Sequence, residues 1–260
     1  MEFQAVYIPV GVPTFHLESA QDQFERSVRL LKSIDEGFVC PENMLLTLDD
    51  LRAYLDGIHP DLIIFQNLTF ANAAYMSEVL RRFHCPLLLW TLREPVIDGG
   101  RLRLNSLTGA YSAANTLRAF DNRAFSYVIG APEEDEVRKV VENCVKAASL
   151  KKAMRSLRLS AIGHTPQGFG FGRALDSELM NVFGVELESI EARELIDMAK
   201  SYTDEECREY LERSFAMTCG LQQTPEHNRL DHARLYKAYT DYVQSHNIGA
   251  LASRCWPDFF

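Results

Sequence analysis

The sequence predicts an α/β protein of two consecutive parallel-sheet units, each with helices on both faces, the second of them incomplete. Short apolar runs alternate with amphipathic helical stretches over the whole chain, the pattern that builds parallel sheets from βα repeats. The runs Asp61–Gln66 and Pro86–Leu92 are apolar almost without a break, as strands covered on both faces must be. Turn residues such as Pro9-Val10-Gly11-Val12-Pro13 separate strands from helices. Together these describe Rossmann-like, doubly wound units.

The first unit, 1–157, reads as five βα repeats. Gln4–Val10 is the first strand, and Ser19–Ile34 is a helix with Phe24, Val28 and Leu31 on one face. Phe38–Cys40 is a short second strand. Thr47, with Asp50 three residues on, opens a helix to Leu55 as a capping pair. Asp61–Gln66 is the third strand and leads to a helix at 71–83. Pro86–Leu92 and Phe125–Ile129 are the fourth and fifth, followed by helices at 110–120 and 132–154. Pro132 in the last of these, with Glu133, Glu134 and Asp135 at its positive end, suits a first turn. The basic run from Lys151 to Arg158 closes the unit.

The second unit, 158–260, holds strands at Arg158–Gly163, Val185–Ile190 and Ile248–Arg254. Its helices fall at Arg173–Phe183, Ala192–Tyr202, 204–216 under a Thr203 cap, and Pro225–Ser245. In the last, Leu230, Leu235, Tyr239 and Tyr242 are expected to face inward. A doubly wound unit of three strands is small, and this one stops on Phe259-Phe260 directly after an apolar strand. The expectation is a chain whose second unit continues beyond Phe260.

Composition excludes several classes. The chain is 47% hydrophobic and 24% charged with a net charge of −9; a basic nucleic-acid face is not expected. No apolar run approaches the roughly 20 residues of a membrane span. The N-terminus reads as a strand rather than a signal peptide. Six cysteines without a CxxC spacing are expected as reduced thiols of a cytoplasmic protein. His227 and His232, five apart on a helix, point to different sides and make a poor metal pair.

Chemistry concentrates after the Pro86–Leu92 strand, in the stretch that carries Trp90, Arg93, Glu94, Asp98, Arg101, Arg103 and Asn105 past a Gly-Gly turn. Loops at the carboxyl ends of parallel strands are where open α/β sheets bind ligands. A second candidate is the terminal Arg254–Phe260, where Arg254, Trp256 and Asp258 alternate after a strand. An aromatic ring for a sugar's C–H face, an arginine for oxygens and a carboxylate for proton transfer would suit a sugar site. A third is the glycine loop 163–172, followed at Glu191 by a carboxylate at ribose distance. Its spacing departs from a dinucleotide fingerprint, since Arg173 stands where a third glycine belongs.

The run LLLWTLREP…DGGRLRLNSLTGAYSAANTL, with the final RCWPDFF, resembles the L-fucose/L-arabinose isomerase-like family of sugar ketol isomerases. The resemblance implies a cytoplasmic homo-oligomer that interconverts an aldose and a ketose through an enediol. It also implies a divalent metal, usually Mn²⁺, whose ligands lie in a C-terminal domain absent from this chain. On that basis Asp258 is the candidate catalytic carboxylate. Trp90, Arg93, Glu94, Asn105, Arg254 and Trp256 are candidate substrate-binding residues, with Trp90 on an exposed loop reaching a neighbouring subunit. The chain alone is expected to be inactive. Two alternatives are a non-catalytic sugar-binding or assembly module and a nucleotide-dependent enzyme using the 163–172 loop.

Overall fold

The computed structural model describes residues 3–121, 124–172, 174–256 and 258–259. The chain forms two compact units, Met1–Lys152 and Ala153–Phe260.

The first unit runs β1 (Ala5–Val10), α1 (Leu17–Ile34), α2 (Leu48–Leu55), β2 (Leu62–Asn67), α3 (Ala73–Arg82), β3 (Leu87–Thr91), α4 (Ser106–Asp121), β4 (Ser126–Ile129) and α5 (Asp135–Met154). Its sheet is parallel in the order β1-β2-β3-β4. β1, β2 and β3 are buried at every position, as strands covered on both faces are, while β4 at the edge buries only Val128. On one face Tyr7, Ile64 and Trp90 pack with Phe24 and Leu31 of α1 and Val137 and Val141 of α5. On the other, Ile8, Phe65 and Leu89 meet Leu51 of α2, Met76 of α3 and Leu117 of α4. Helices therefore change face between β1 and β2, which makes the carboxyl ends of those strands the topological switch point.

Five strands were expected, and four form among the described residues. Phe38–Cys40 contributes only an isolated parallel bridge, Val39 to Val6, and Leu45 makes a second one to Val10. Pro41 lies between them with no N–H to offer a ladder, so the free edge of β1 is covered at two points instead of by a strand. Thr47 and Asp50 form the expected capping box of α2. Two helix starts in this unit differ from expectation by three residues or more. Helix α4 begins at Ser106, four residues earlier than expected, because the Ser106 hydroxyl is held between the Leu92 N–H and the Asn67 carbonyl. Helix α5 begins at Asp135, three residues later, because the Glu134 carboxylate accepts the Ala131 N–H in the turn before it.

The second unit runs β5 (Arg158–Ile162), a 3₁₀ turn at Gly170–Gly172, α6 (Asp176–Phe183), β6 (Glu186–Ile190), α7 (Ala192–Ser201), α8 (Asp204–Met217), α9 (Glu226–His246) and β7 (Ala250–Ser253). Its sheet is parallel in the order β6-β5-β7. The expected start of α6 at Arg173 lies outside the described residues. Ile162 of β5 packs with Ala192 and Leu195 of α7 and Tyr242 of α9. Helix α9 buries Ala233, Ala238 and Tyr242. Leu230, Leu235 and Tyr239 are only half-buried. The opposite face of this sheet borders a hollow of about 630 Å³ lined by Leu159, Ala161, Leu187 and Ala250 among others.

Candidate functional site

In the first unit the chain leaves β3 at Leu92, makes an excursion over 93–105, and returns to the sheet at Leu104 and Ser106. Leu92 and Leu104 are both buried on the α1 side. The Leu104 carbonyl accepts the Phe70 N–H at 3.0 Å. The neck of the excursion is closed by Glu94, whose carboxylate accepts the N–H groups of Arg103 at 3.0 Å, Leu104 at 3.2 Å and Asn105. Three amides on one carboxylate are charge-assisted bonds that hold two passing strands together. Beneath the loop, Gly109 of α4 comes so close that an added Cβ would stand 2.7 Å from Asn67 Nδ2 and 3.2 Å from the Thr69 carbonyl. A glycine is required there by contact, not by backbone angle.

The sequence-predicted residues of this unit fall into different places. Trp90 is not on an exposed loop: it lies inside β3, fully buried, and its indole donates to the Gly130 carbonyl at 3.0 Å. Position 90 falls on the α1 and α5 face by strand alternation, and that face is closed. Arg93 is exposed and paired in a fork to Glu134 at 2.7 and 3.0 Å. The Glu134 carboxylate beside it holds the Arg93 guanidinium above its ordinary range, and Arg93 holds Glu134 below its own. Glu94 is turned onto backbone amides. Asn105 takes a left-handed conformation, φ 52°, directly before α4, and its side chain accepts from the Thr108 hydroxyl at 2.7 Å.

Sequence reasoning missed what the loop builds against. Arg101 and Arg103 come down over the end of β1, where they and Leu102 face Thr14, Phe15 and His16 across a cleft of about 380 Å³. The two segments are stitched together by His16 N–H to the Arg103 carbonyl at 3.0 Å and by the Arg101 guanidinium to the Thr14 carbonyl at 3.0 Å. Arg101 stacks on the Phe15 ring, 5.2 Å from its centroid, and Phe15 is braced edge-on by Phe70. The signal available beforehand was the Pro-rich turn after β1, which pointed to this end of the sheet without naming a residue.

In the second unit the residues expected to alternate at the carboxyl end of a strand follow directly after it. β7 stops at Ser253. Arg254 folds back to Asp258, Nε 2.5 Å from Oδ2, with the N–H not directed at that oxygen, so the contact is a charge pair and not a hydrogen bond. A second guanidinium nitrogen donates to the His164 carbonyl at 3.1 Å. Gly163, at φ 75°, makes room for this side chain, since a Cβ would meet Arg254 Nε at 2.6 Å. Asp258 is thus engaged by Arg254, while Trp256 is exposed. Pro257 and Phe260 lie outside the described residues. In the glycine loop, His164 Nε2 stands 3.3 Å from Glu191, whose backbone N–H in turn donates to Glu194 at the start of α7. Glu191 therefore belongs to a helix start. Among the described residues no three His, Cys, Asp or Glu side chains stand close enough to hold a metal ion.

Comparison with known proteins bears on the same chain. It is 60% identical over 259 residues to a protein named sulfoquinovose isomerase from Clostridium sp. (strain MSTE9), covering 100% of this chain and 58% of that protein. It is 32% identical over 258 residues to sulfoquinovose isomerases of Priestia aryabhattai and Priestia megaterium, covering 98% of this chain and 57% of each. The chain thus spans under three fifths of the length of the curated relatives it matches. No protein-family model matches it. Among the described residues no helix is long and apolar enough to cross a membrane.

Proposed function

We propose that these 260 residues are part of an aldose–ketose isomerase whose substrate is sulfoquinovose or a closely similar sulfonated sugar. The observation that carries this reading is identity at 60% along essentially the whole chain to a relative bearing that name. Sulfoquinovose is a hexose with a sulfonate on C6. Its isomerisation moves a proton between C2 and C1 through an enediol, so that C1 is reduced as C2 is oxidised and no atom is gained or lost.

The fucose/arabinose type, the cytoplasmic setting, the homo-oligomer and the Mn²⁺ ion all belong to this proposal. The described residues offer no donor set for the metal, so its ligands would come from outside these 260 residues. The part of this chain is to bind and orient the sugar and to supply assembly surface.

The test is to incubate sulfoquinovose and Mn²⁺ with the product of the complete reading frame that encodes this chain, and to follow the anomeric proton by NMR. Conversion to the ketose is expected. An unchanged sugar overturns the reading. The 260-residue chain by itself is expected to leave the sugar unchanged, and turnover by it alone would overturn the division of labour.

A further inference from the structure

We propose that the cleft between residues 14–16 and 101–103 is the oxyanion subsite of this protein and takes the sulfonate end of the substrate, through the guanidinium groups of Arg101 and Arg103 and the imidazole of His16. The inference rests on the sulfonated-sugar reading for the name of the ligand, and on the geometry of the first unit for everything else.

Among the described residues neither arginine has a carboxylate partner. The acids nearest in sequence are already occupied: Glu94 accepts three backbone amides at the loop's neck, and Asp98 accepts the Gly100 N–H at 3.0 Å. Glu18, in the first turn of α1, forms no ion pair with either arginine. Several other arginines of this unit are paired: Arg26 with Asp22 and Glu133, Arg52 with Asp49 and Glu78, Arg82 with Glu78, Arg93 with Glu134. In a chain of net charge −9, two adjacent guanidiniums left without carboxylates on one cleft form a local reversal of sign. Such a reversal attracts an anion and holds it.

The cleft is also pre-organised. Arg101 is held by the Thr14 carbonyl and the Phe15 ring, and the Arg103 backbone is fixed on both sides, its N–H by Glu94 and its carbonyl by His16 N–H. The His16 Nδ1 accepts from the Ser19 N–H at 3.2 Å, which leaves Nε2 to carry the ring proton and to donate. Each of these fixtures lowers the entropy cost of closing donors around an oxyanion. A tetrahedral sulfonate presents three equivalent oxygens, which suits two forked guanidiniums and a third, single donor.

The cleft joins the loop after β1 to the loop after β3, above the point where helices change face. That is the crevice in which open α/β sheets bind ligands.

The experiment is titration calorimetry on the 260-residue chain with sulfoquinovose, with glucose as the neutral hexose, and with sulfate as competitor. Sulfoquinovose is expected to bind, sulfate to displace it, and glucose to bind at least about tenfold more weakly. R101Q and R103Q should each weaken sulfoquinovose about tenfold and leave glucose unchanged, while R103K, which keeps the charge and loses the fork, should fall between. Circular dichroism on each variant establishes that it is folded. Equal binding of sulfoquinovose and glucose, an affinity unmoved in the folded double variant, or no binding of sulfoquinovose or sulfate overturns the proposal. Binding by the arginines together with failure of the complete gene product to isomerise the sugar would keep this subsite and sink the isomerase reading instead.

Discussion

Replacing Glu94 with alanine tests how the first unit holds its long loop. The carboxylate accepts three N–H groups, from Arg103, Leu104 and Asn105, across the neck of the 93–105 excursion. A hydrogen bond to a charged group contributes about 1.5–3 kcal/mol when fully formed. Glu94 is half-buried, so water can replace part of what is lost, and the net cost of opening the neck should fall by about 2 kcal/mol, or roughly 30-fold in the opening equilibrium. Native-state hydrogen exchange reads this directly, with the amides of residues 103–105 exchanging roughly 30-fold faster in the variant. The amides of β2 and β3 should keep their protection, because Leu92 and Leu104 remain anchored in the core. Glu94→Gln keeps one acceptor oxygen and should lie between wild type and alanine. Unchanged exchange at all three amides in the alanine variant would show that the neck is held by Ser106 and the core alone, and the reasoning would be refuted.

Other expectations follow from single contacts. Trp90→Phe removes the donor to the Gly130 carbonyl and leaves a void in a closed face, for a loss of about 2–3 kcal/mol in urea unfolding of the first unit; a change below about 0.5 kcal/mol would argue against the buried indole. In the native chain, iodide should quench Trp256, which is exposed, and spare Trp90. Gly109→Ala should lower the thermal midpoint of the first unit, because the new methyl meets the Thr69 backbone as well as the Asn67 side chain; an unchanged midpoint would show that α4 can shift freely. Thiol labelling of the folded protein should modify Cys219 and Cys255 first, and leave Cys40, Cys144 and Cys207 for last, since burial raises all three of these thiols. Burial pushes Cys40 up to about 11. The folded state thus holds that proton more tightly than the unfolded chain does, so its contribution to stability is intact below about pH 9 and is lost as pH rises toward 11. Cys40→Ala should flatten that alkaline decline, and an equally steep curve in the variant would exclude Cys40 as its source.

The parallel sheets, the helices between them and the capping of α2 and α8 were legible in the sequence because each depends on near neighbours. A strand covered on both faces must be apolar at every position, and Thr47 with Asp50, or Thr203 with Glu206, can close a helix start without help from elsewhere. Local pattern failed where a distant group decided. Phe38–Cys40 has strand-like residues, yet Pro41 and the path to Leu45 leave only two bridges to β1. Helix α4 starts early because Ser106 is caught between β2 and β3, residues 39 and 14 positions away. Trp90 looked like a loop residue by its company, and strand alternation turned it into the core. Arg254, Trp256 and Asp258 kept the right chemistry for a sugar, but the chain turns after Ser253 and spends two of the three on each other. The cleft at Thr14–His16 and Arg101–Arg103 joins residues almost ninety positions apart. The types of residue are a property of the chain, but which charges neutralise one another and which are left facing a cavity depends on distances that only the folded backbone sets.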